Sequence, residues 1–248
     1  IASISKLLEI SQKYKPDQLR AVGTRVFREA LNAPSYIEEV KQKTSVDIDV
    51  ISGEMEAEYS FNGSLYNLDI DMQTVMVVDI GGGSTEISFH SSNGTLLHYS
   101  MPVGAVTITE NYLNTIPAYA LEYDRARDFI FNELKSNFPG QPQNIGNIVF
   151  SSGTPTLTSA VLLKLEEYNP AIIHGSKFTL NELKAFEEII KKTDLEHRKE
   201  ILKLDPEVAD IYAAGLLVLL MITEYFKFDS IVVSDTGARF GVVMEMLS

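Results

Sequence analysis

The chain has 248 residues, enough for one large domain or two smaller lobes, and its 45% hydrophobic and 22% charged residues exclude a disordered polypeptide. It contains no cysteine, which removes disulfides and thiolate metal sites and fits a reducing compartment, the cytoplasm. With 21 basic against 34 acidic residues the net charge is -13, which argues against general nucleic-acid binding but not against a small anion held by backbone N–H groups and one or two arginines.

In chain order, residues 3–14 read as a helix broken by Pro16–Asp17. A short strand follows at Leu19–Val22, then helices over Arg25–Leu31 and 35–43. Val46, Ile48 and Val50 alternate with aspartates, the mark of a strand with one exposed face. Ser52 is placed as the N-cap of a helix running to about Phe61. The polar, Gly-containing stretch from Asn62 to Gln73 reads as a boundary, giving expected lobes of 1–70 and 71–248. Val75–Ile80 is a buried strand, Glu86–His90 a returning strand, and Leu96–Met101 the third strand of a meander. Ala126, Ile130 and Leu134, spaced by four, predict an amphipathic helix over Asp124–Phe138. Ile148–Phe150 is a strand entering a Ser-Gly turn, and Thr179 with Glu182 forms a capping box. Pro206–Phe226 reads as one long buried helix. Its longest uncharged hydrophobic run, between Asp210 and Glu224, is too short for the about 20 residues a bilayer requires, so no membrane span is expected. Ile231–Val233 is a strand ending in a Ser-Asp-Thr-Gly turn. The pattern is a mixed α/β chain with small-residue turns after its strands.

Three such turns carry the chemistry. Gly81-Gly82-Gly83-Ser84-Thr85 follows the strand that ends in Asp79-Ile80. Three successive glycines let the backbone approach an anion with no Cβ in the way, and their N–H groups with the two hydroxyls can form an anion nest. A P-loop would need a lysine, and a dinucleotide loop would open a helix rather than a strand, so both fail. The competing reading is a Gly-rich hairpin turn with no ligand. Ser151-Ser152-Gly153-Thr154 and Ser234-Asp235-Thr236-Gly237-Ala238-Arg239 also follow strands. Each alone fits an ordinary loop, but three strand-end turns of this kind imply one cleft, where open α/β sheets bind ligands. Glu54, Glu56 and Glu58 stand at a helix start, where compensation of the macrodipole is the simpler reading for Glu54. Arg25 and Arg28 share a helix face, open either to a phosphate or to surface ion pairing. His90, His98, His174 and His197 have no metal-ligand spacing and read as structural.

With these pieces in place the chain resembles the Ppx/GppA family of exopolyphosphatases and guanosine pentaphosphate phosphohydrolases, which shares its fold with actin, Hsp70 and sugar kinases. The resemblance rests on Gly23–Asn32, on Val50-Ile51-Ser52-Gly53-Glu54-Met55-Glu56-Ala57, on Asp79–Glu86, on Ser152–Thr154 and on Ser234–Arg239. It implies an actin-like, ribonuclease H-like two-lobe α/β fold with mixed sheets flanked by helices. Carried over by position, it makes Glu56 the base that activates the attacking water. Asp79 and Glu86 become acidic residues near the metal, Mg²⁺, and the water. Gly81, Gly82, Gly83, Ser84 and Thr85 become the phosphate cradle, Arg28 the arginine that meets the substrate phosphate, and Ser152, Gly153 and Thr154 the turn across the cleft. Met55, Glu58 and Phe240 depart from the family pattern, and the basic group lost at position 58 points to weaker polyphosphate affinity or a shorter substrate. The family's first phosphate loop and opening strands are expected upstream of Ile1.

The implied function is release of terminal phosphate from polyphosphate, or conversion of guanosine pentaphosphate to tetraphosphate, by a cytoplasmic enzyme of a family that often dimerises. Two alternatives stand beside it. One is a non-catalytic sensor of guanosine tetra- or pentaphosphate, and the other an ATP-dependent small-molecule kinase of the same superfamily.

Overall fold

The computed structural model describes residues 1–140 and 142–248. By their own contacts they form two compact units, Ile1–Glu58 and Tyr59–Ser248. The first holds helix α1 (Ala2–Tyr14), strand β1 (Ala21–Gly23), helices α2 (Arg25–Glu29) and α3 (Ala33–Thr44), and strand β2 (Ile48–Val50). β1 and β2 pair in parallel, Ala21 opposite Ile48, so the expected alternation of Val46–Val50 yields a strand of three residues. Helix α4 (Gly53–Ser64) begins in this unit, with the Ser52 hydroxyl accepting from Met55 N–H, the capping that the sequence predicts.

The second unit is built on a six-stranded sheet. Its strands are β3 (Val75–Ile80), β4 (Thr85–His90), β5 (Leu96–Met101), β6 (Asn147–Ser151), β7 (Lys177–Thr179) and β8 (Ser230–Val233), in the order β5-β4-β3-β6-β8-β7. β3, β6 and β8 run parallel in the centre, and antiparallel strands flank them. The helices are α5 (Ala105–Tyr112), α6 (Ala120–Asn137), α7 (Gly153–Leu162), α8 (Pro170–Ile173), α9 (Leu180–Lys192), α10 (Leu195–Ile201), α11 (Tyr212–Tyr225) and α12 (Ala238–Leu247).

Period-two alternation sends Met76, Val78, Ile80, Ile148, Phe150, Ile231 and Val233 into the main core. That core centres on α11, which is apolar all round and packs against α5, α6, α7 and α9. The opposite face carries Val75, Val77, Val149 and Val232, covered by Phe61 and Leu65 at the end of α4. α4 therefore runs three residues past the expected Phe61, because Ser64 and Leu65 are buried there. The single helix expected over Pro206–Phe226 is corrected: Pro206–Val208 is a short 3₁₀ turn and α11 starts only at Tyr212. The helices α5, α8, α10 and α12 and the strand β7 had no counterpart in the sequence reading. The Thr179–Glu182 capping box forms in both directions. Among the described residues no helix is long and apolar enough to cross a membrane.

Gly241 lets α12 approach the start of this unit, since a Cβ there would overlap the Tyr59 backbone. Gly241→Ala is therefore expected to lower stability by about 1–3 kcal/mol, read as a lower urea midpoint at unchanged m-value.

Candidate active site

A row of polar residues crosses the second sheet at the carboxyl ends of its central strands. Asp79 is the partner of Glu86 on one side and of Ser151 on the other, and Glu86 is the partner of Ser100. Each of Asp79 and Ser151 follows a valine of the α4-covered face by two residues, so the apolar face turns polar where the strands end. Two carboxylates directly opposed across an antiparallel pair repel each other. Glu86 is steadied by neutral donors, as the Ser84 and Ser100 hydroxyls both donate to its Oε1, at 2.6 and 3.0 Å. The hydroxyl of Ser151 is buried and has no partner among the described residues.

The bend after β3 is oriented by α5. An α-helix starts with amides that lack intrahelical acceptors, and Gly104, the N-cap of α5, has no side chain to supply one. The glycine bend supplies them. Ala105 N–H donates to Gly81 O (3.0 Å), Val106 and Thr107 N–H to Gly82 O (2.8 and 3.1 Å), and Thr107 Oγ1 to Gly83 O (3.0 Å). Gly104 is required for this approach, since a Cβ there would overlap the Gly82 carbonyl. Gly81 N–H closes the bend onto Ser84 O. With the three carbonyls turned into α5, the amides of Gly82, Gly83 and Ser84 have no backbone acceptor among the described residues, and Gly82 and Gly83 are exposed. Nothing internal demands a glycine at 83: a Cβ there meets no atom within 4 Å, and its φ lies outside the left-handed region. The hydroxyl of Thr85 is spent on Val103 O and that of Ser84 on Glu86 Oε1, which leaves the cradle to the amides.

The second turn joins this bend. Ser152 donates to Ile80 O at 2.6 Å, and α7 begins at Gly153. A cavity of about 280 Å³ is lined by Gly81 and Gly82, by Ser152, Gly153 and Thr154, and by an apolar wall that includes Ile80, Val208 and Tyr212. Asp205 adds a carboxylate. The Tyr212 hydroxyl pairs with Thr158, and burial pushes its phenol pKa up. Asp205, Val208 and Ile211 escaped the sequence reading because they lie where a continuous helix was expected; the Asp205-Pro206 step was the available signal of a break. The third turn reaches the second across the strand ends, with Ser234 N–H donating to Phe150 O, and a further cavity of about 250 Å³ has Ser152 and Gly153 in common with the first.

In the first unit the structure brings Arg28 and Glu56 together. Arg28 Nη2 lies 2.9 Å from Glu56 Oε2, and its Nη1 donates to Ile51 O at 2.8 Å, so the arginine fixes one carboxylate oxygen and leaves Oε1 without a protein partner among the described residues. Arg25 instead pairs with Glu29 one turn on, the surface role that stood as its alternative. Glu54 is held below the ordinary carboxylate range by its own backbone N–H and the Ser52 hydroxyl, in keeping with a helix-start role.

Among the described residues no three carboxylates or histidines gather as a metal site. His90 bonds to Met72 O, His98 to Ser88, His174 to Tyr66 O and His197 to Asp194, the structural roles expected of them. The opposed pair Asp79 and Glu86 suits an ion that takes one or two carboxylates and otherwise keeps water or phosphate oxygens, which is the habit of Mg²⁺.

The family model described as the Ppx/GppA phosphatase family matches residues 1–248. The chain is 30% identical to the bifunctional 3-dehydroquinate synthase/phosphatase of Fusobacterium nucleatum, over 98% of this chain and 37% of that protein. It is 26% identical to the guanosine-5'-triphosphate,3'-diphosphate pyrophosphatase of Photobacterium profundum (99% and 48%) and 25% identical to exopolyphosphatase 2 of Mycobacterium tuberculosis (98% and 79%). It thus spans less than half of the first two relatives. The solved Ppx/GppA phosphatase of Aquifex aeolicus superposes with a TM-score of 0.87 at 29% identity, covering 100% of this chain and 81% of that one. The fold is accordingly of the actin-like α/β class.

Because position 83 needs its glycine for neither packing nor backbone, Gly83→Ala is expected to leave stability unchanged or to raise it by about 0.4–1 kcal/mol. The same variant should bind inorganic phosphate at least tenfold more weakly, since the added methyl stands over the exposed amides; calorimetry of both proteins measures this.

Proposed function

Because the chain belongs to the Ppx/GppA phosphatase family, we propose that it hydrolyses terminal phosphoanhydrides, releasing phosphate from polyphosphate or converting guanosine pentaphosphate to tetraphosphate. The observation that carries the reading is the bend whose carbonyls are all engaged by α5, so that three successive amides are left for a ligand oxygen. In this reading the amides of Gly82, Gly83 and Ser84 hold the phosphoryl oxygens as charge develops on them, and preorganised dipoles of this kind need no rearrangement during reaction. Ser152, Gly153 and Thr154 line the same cavity and position the substrate. Glu56 accepts the proton of the attacking water at Oε1, a contribution typically of 10²–10⁴-fold, while Arg28 fixes its other oxygen and presents charge to the substrate phosphate. Asp79 and Glu86 would hold Mg²⁺, which when bound supplies positive charge against the phosphoryl group. The two-lobe division at 70/71 and a cytoplasmic location belong to this proposal.

The apolar wall beside the phosphate turns favours the nucleotide over bare polyphosphate. Ile80, Val208 and Tyr212 offer a surface that a nucleoside can cover and a polyphosphate chain cannot.

Phosphate release from both substrates should fall 10²–10⁴-fold in Glu56→Gln, with KM changed by less than about threefold. Equal rates for parent and variant would remove Glu56 from the mechanism. Millimolar Mg²⁺ should raise the thermal midpoint of the parent, and Asp79→Asn should abolish that gain.

A further inference from the structure

We propose that the cavity at the end of β8 is a second phosphate subsite, with Arg239 as its cation, so that the protein grips a chain of linked phosphates at two points. The inference rests on the phosphohydrolase reading and adds to it the requirement for a substrate with several phosphates in series.

The cavity, about 250 Å³, is lined by Ser152, Gly153, Thr156, Tyr168, the Ser234–Thr236 turn and Arg239. Most of its neutral donors are already committed. Thr156 Oγ1 donates to Ser152 O at 2.9 Å, Thr236 Oγ1 to Gly63 O at 2.6 Å, and the Tyr168 hydroxyl to Asp235. The Asp235 carboxylate, the one acid of the cavity, is thereby engaged by a neutral partner. Arg239 is the one basic side chain on the wall. It is exposed, and among the described residues it makes no ion pair or hydrogen bond, although the chain carries 34 acidic residues with which it could pair. Its planar fork of N–H groups matches a phosphate in a bidentate manner.

Placement supplies the rest of the argument. β3, β6 and β8 are neighbours in the sheet, and at about 4.8 Å per strand the ends of β3 and β8 lie roughly 10 Å apart. Ser152 and Gly153, at the end of the middle strand, line both cavities. A polyphosphate tail laid across the three strand ends reaches from the amides of the glycine bend to the guanidinium of Arg239, whereas a single phosphate reaches only one of them. Arg239 therefore sets affinity for chains and contributes nothing to the binding of orthophosphate at the glycine bend.

Calorimetric titration of the full chain with tripolyphosphate and, separately, with orthophosphate tests this. Arg239→Gln should weaken tripolyphosphate at least tenfold and orthophosphate less than twofold, at unchanged thermal midpoint, and Arg239→Lys should fall between parent and Gln. Tripolyphosphate binding that is unaltered in Arg239→Gln, or both ligands weakened alike, overturns the subsite while leaving the hydrolase reading intact. A parent protein that binds neither ligand overturns both.

Discussion

The carbonyl groups of Gly81, Gly82 and Gly83 are held by the first turn of α5, and that arrangement decides which way the amides of the bend face. The benefit is mutual. α5 has no side-chain cap, so its opening amides would lack acceptors, and a free Gly-rich bend would sample many conformations at a high entropic cost. Each half satisfies the other. The orientation of the bend, and with it the proposed anion nest, is therefore a tertiary feature, built by a helix more than twenty residues downstream in the chain, rather than a property of three glycines in a row.

The support extends inward. Ala105 and Ile108 of α5 are buried, Ile108 in the main core, and α11 packs against α5 and α7 alike. α7 carries the second turn of the site at its start, and Gly215 of α11 leaves room for Thr154 of that turn. One apolar helix thus fixes the two elements that flank the glycine bend. Its first residue, Tyr212, lines the neighbouring cavity, so the helix that carries the packing also forms part of the site's wall. Such rigidity suits the proposed reaction, because amides aimed at an anion help most when they do not have to move.

The central strands were legible because their signals are local. Val75–Ile80 is a continuous apolar run, and the alternation in Glu86–His90 shows which residues turn inward. The capping residues Ser52 and Thr179 acted as predicted, since a cap depends on residues three apart. What could not be read depends on distant partners. Asp205-Pro206 lies beside the apolar run of α11, and the hydrophobic pattern concealed that the helix starts six residues later. α12, with Arg239 in its first turn, begins after Gly237 with no side-chain cap to announce it. The glycine bend was recognisable as a motif, but its orientation was not, since the α5 amides that set it bear no sequence mark. Thr85 shows the opposite error: its hydroxyl looks like a ligand in the motif, yet the fold uses it to bind Val103 O.

A chain with a net charge of -13 is an unpromising receptor for the polyanion proposed as its substrate, and the residues around the glycine bend reflect that difficulty. Cationic side chains in such a protein are drawn to its own carboxylates, as Arg25 is to Glu29 and Arg127 to Glu224. Backbone amides cannot be captured in this way, because their direction is set by the hydrogen bonds of their neighbours and not by free rotation. A binding surface made first of backbone amides, with few guanidinium groups, keeps its donors available at any local acid density. Beside the bend the carboxylates of Asp79 and Glu86 stand directly opposite each other, and the divalent cation proposed above would offset their repulsion.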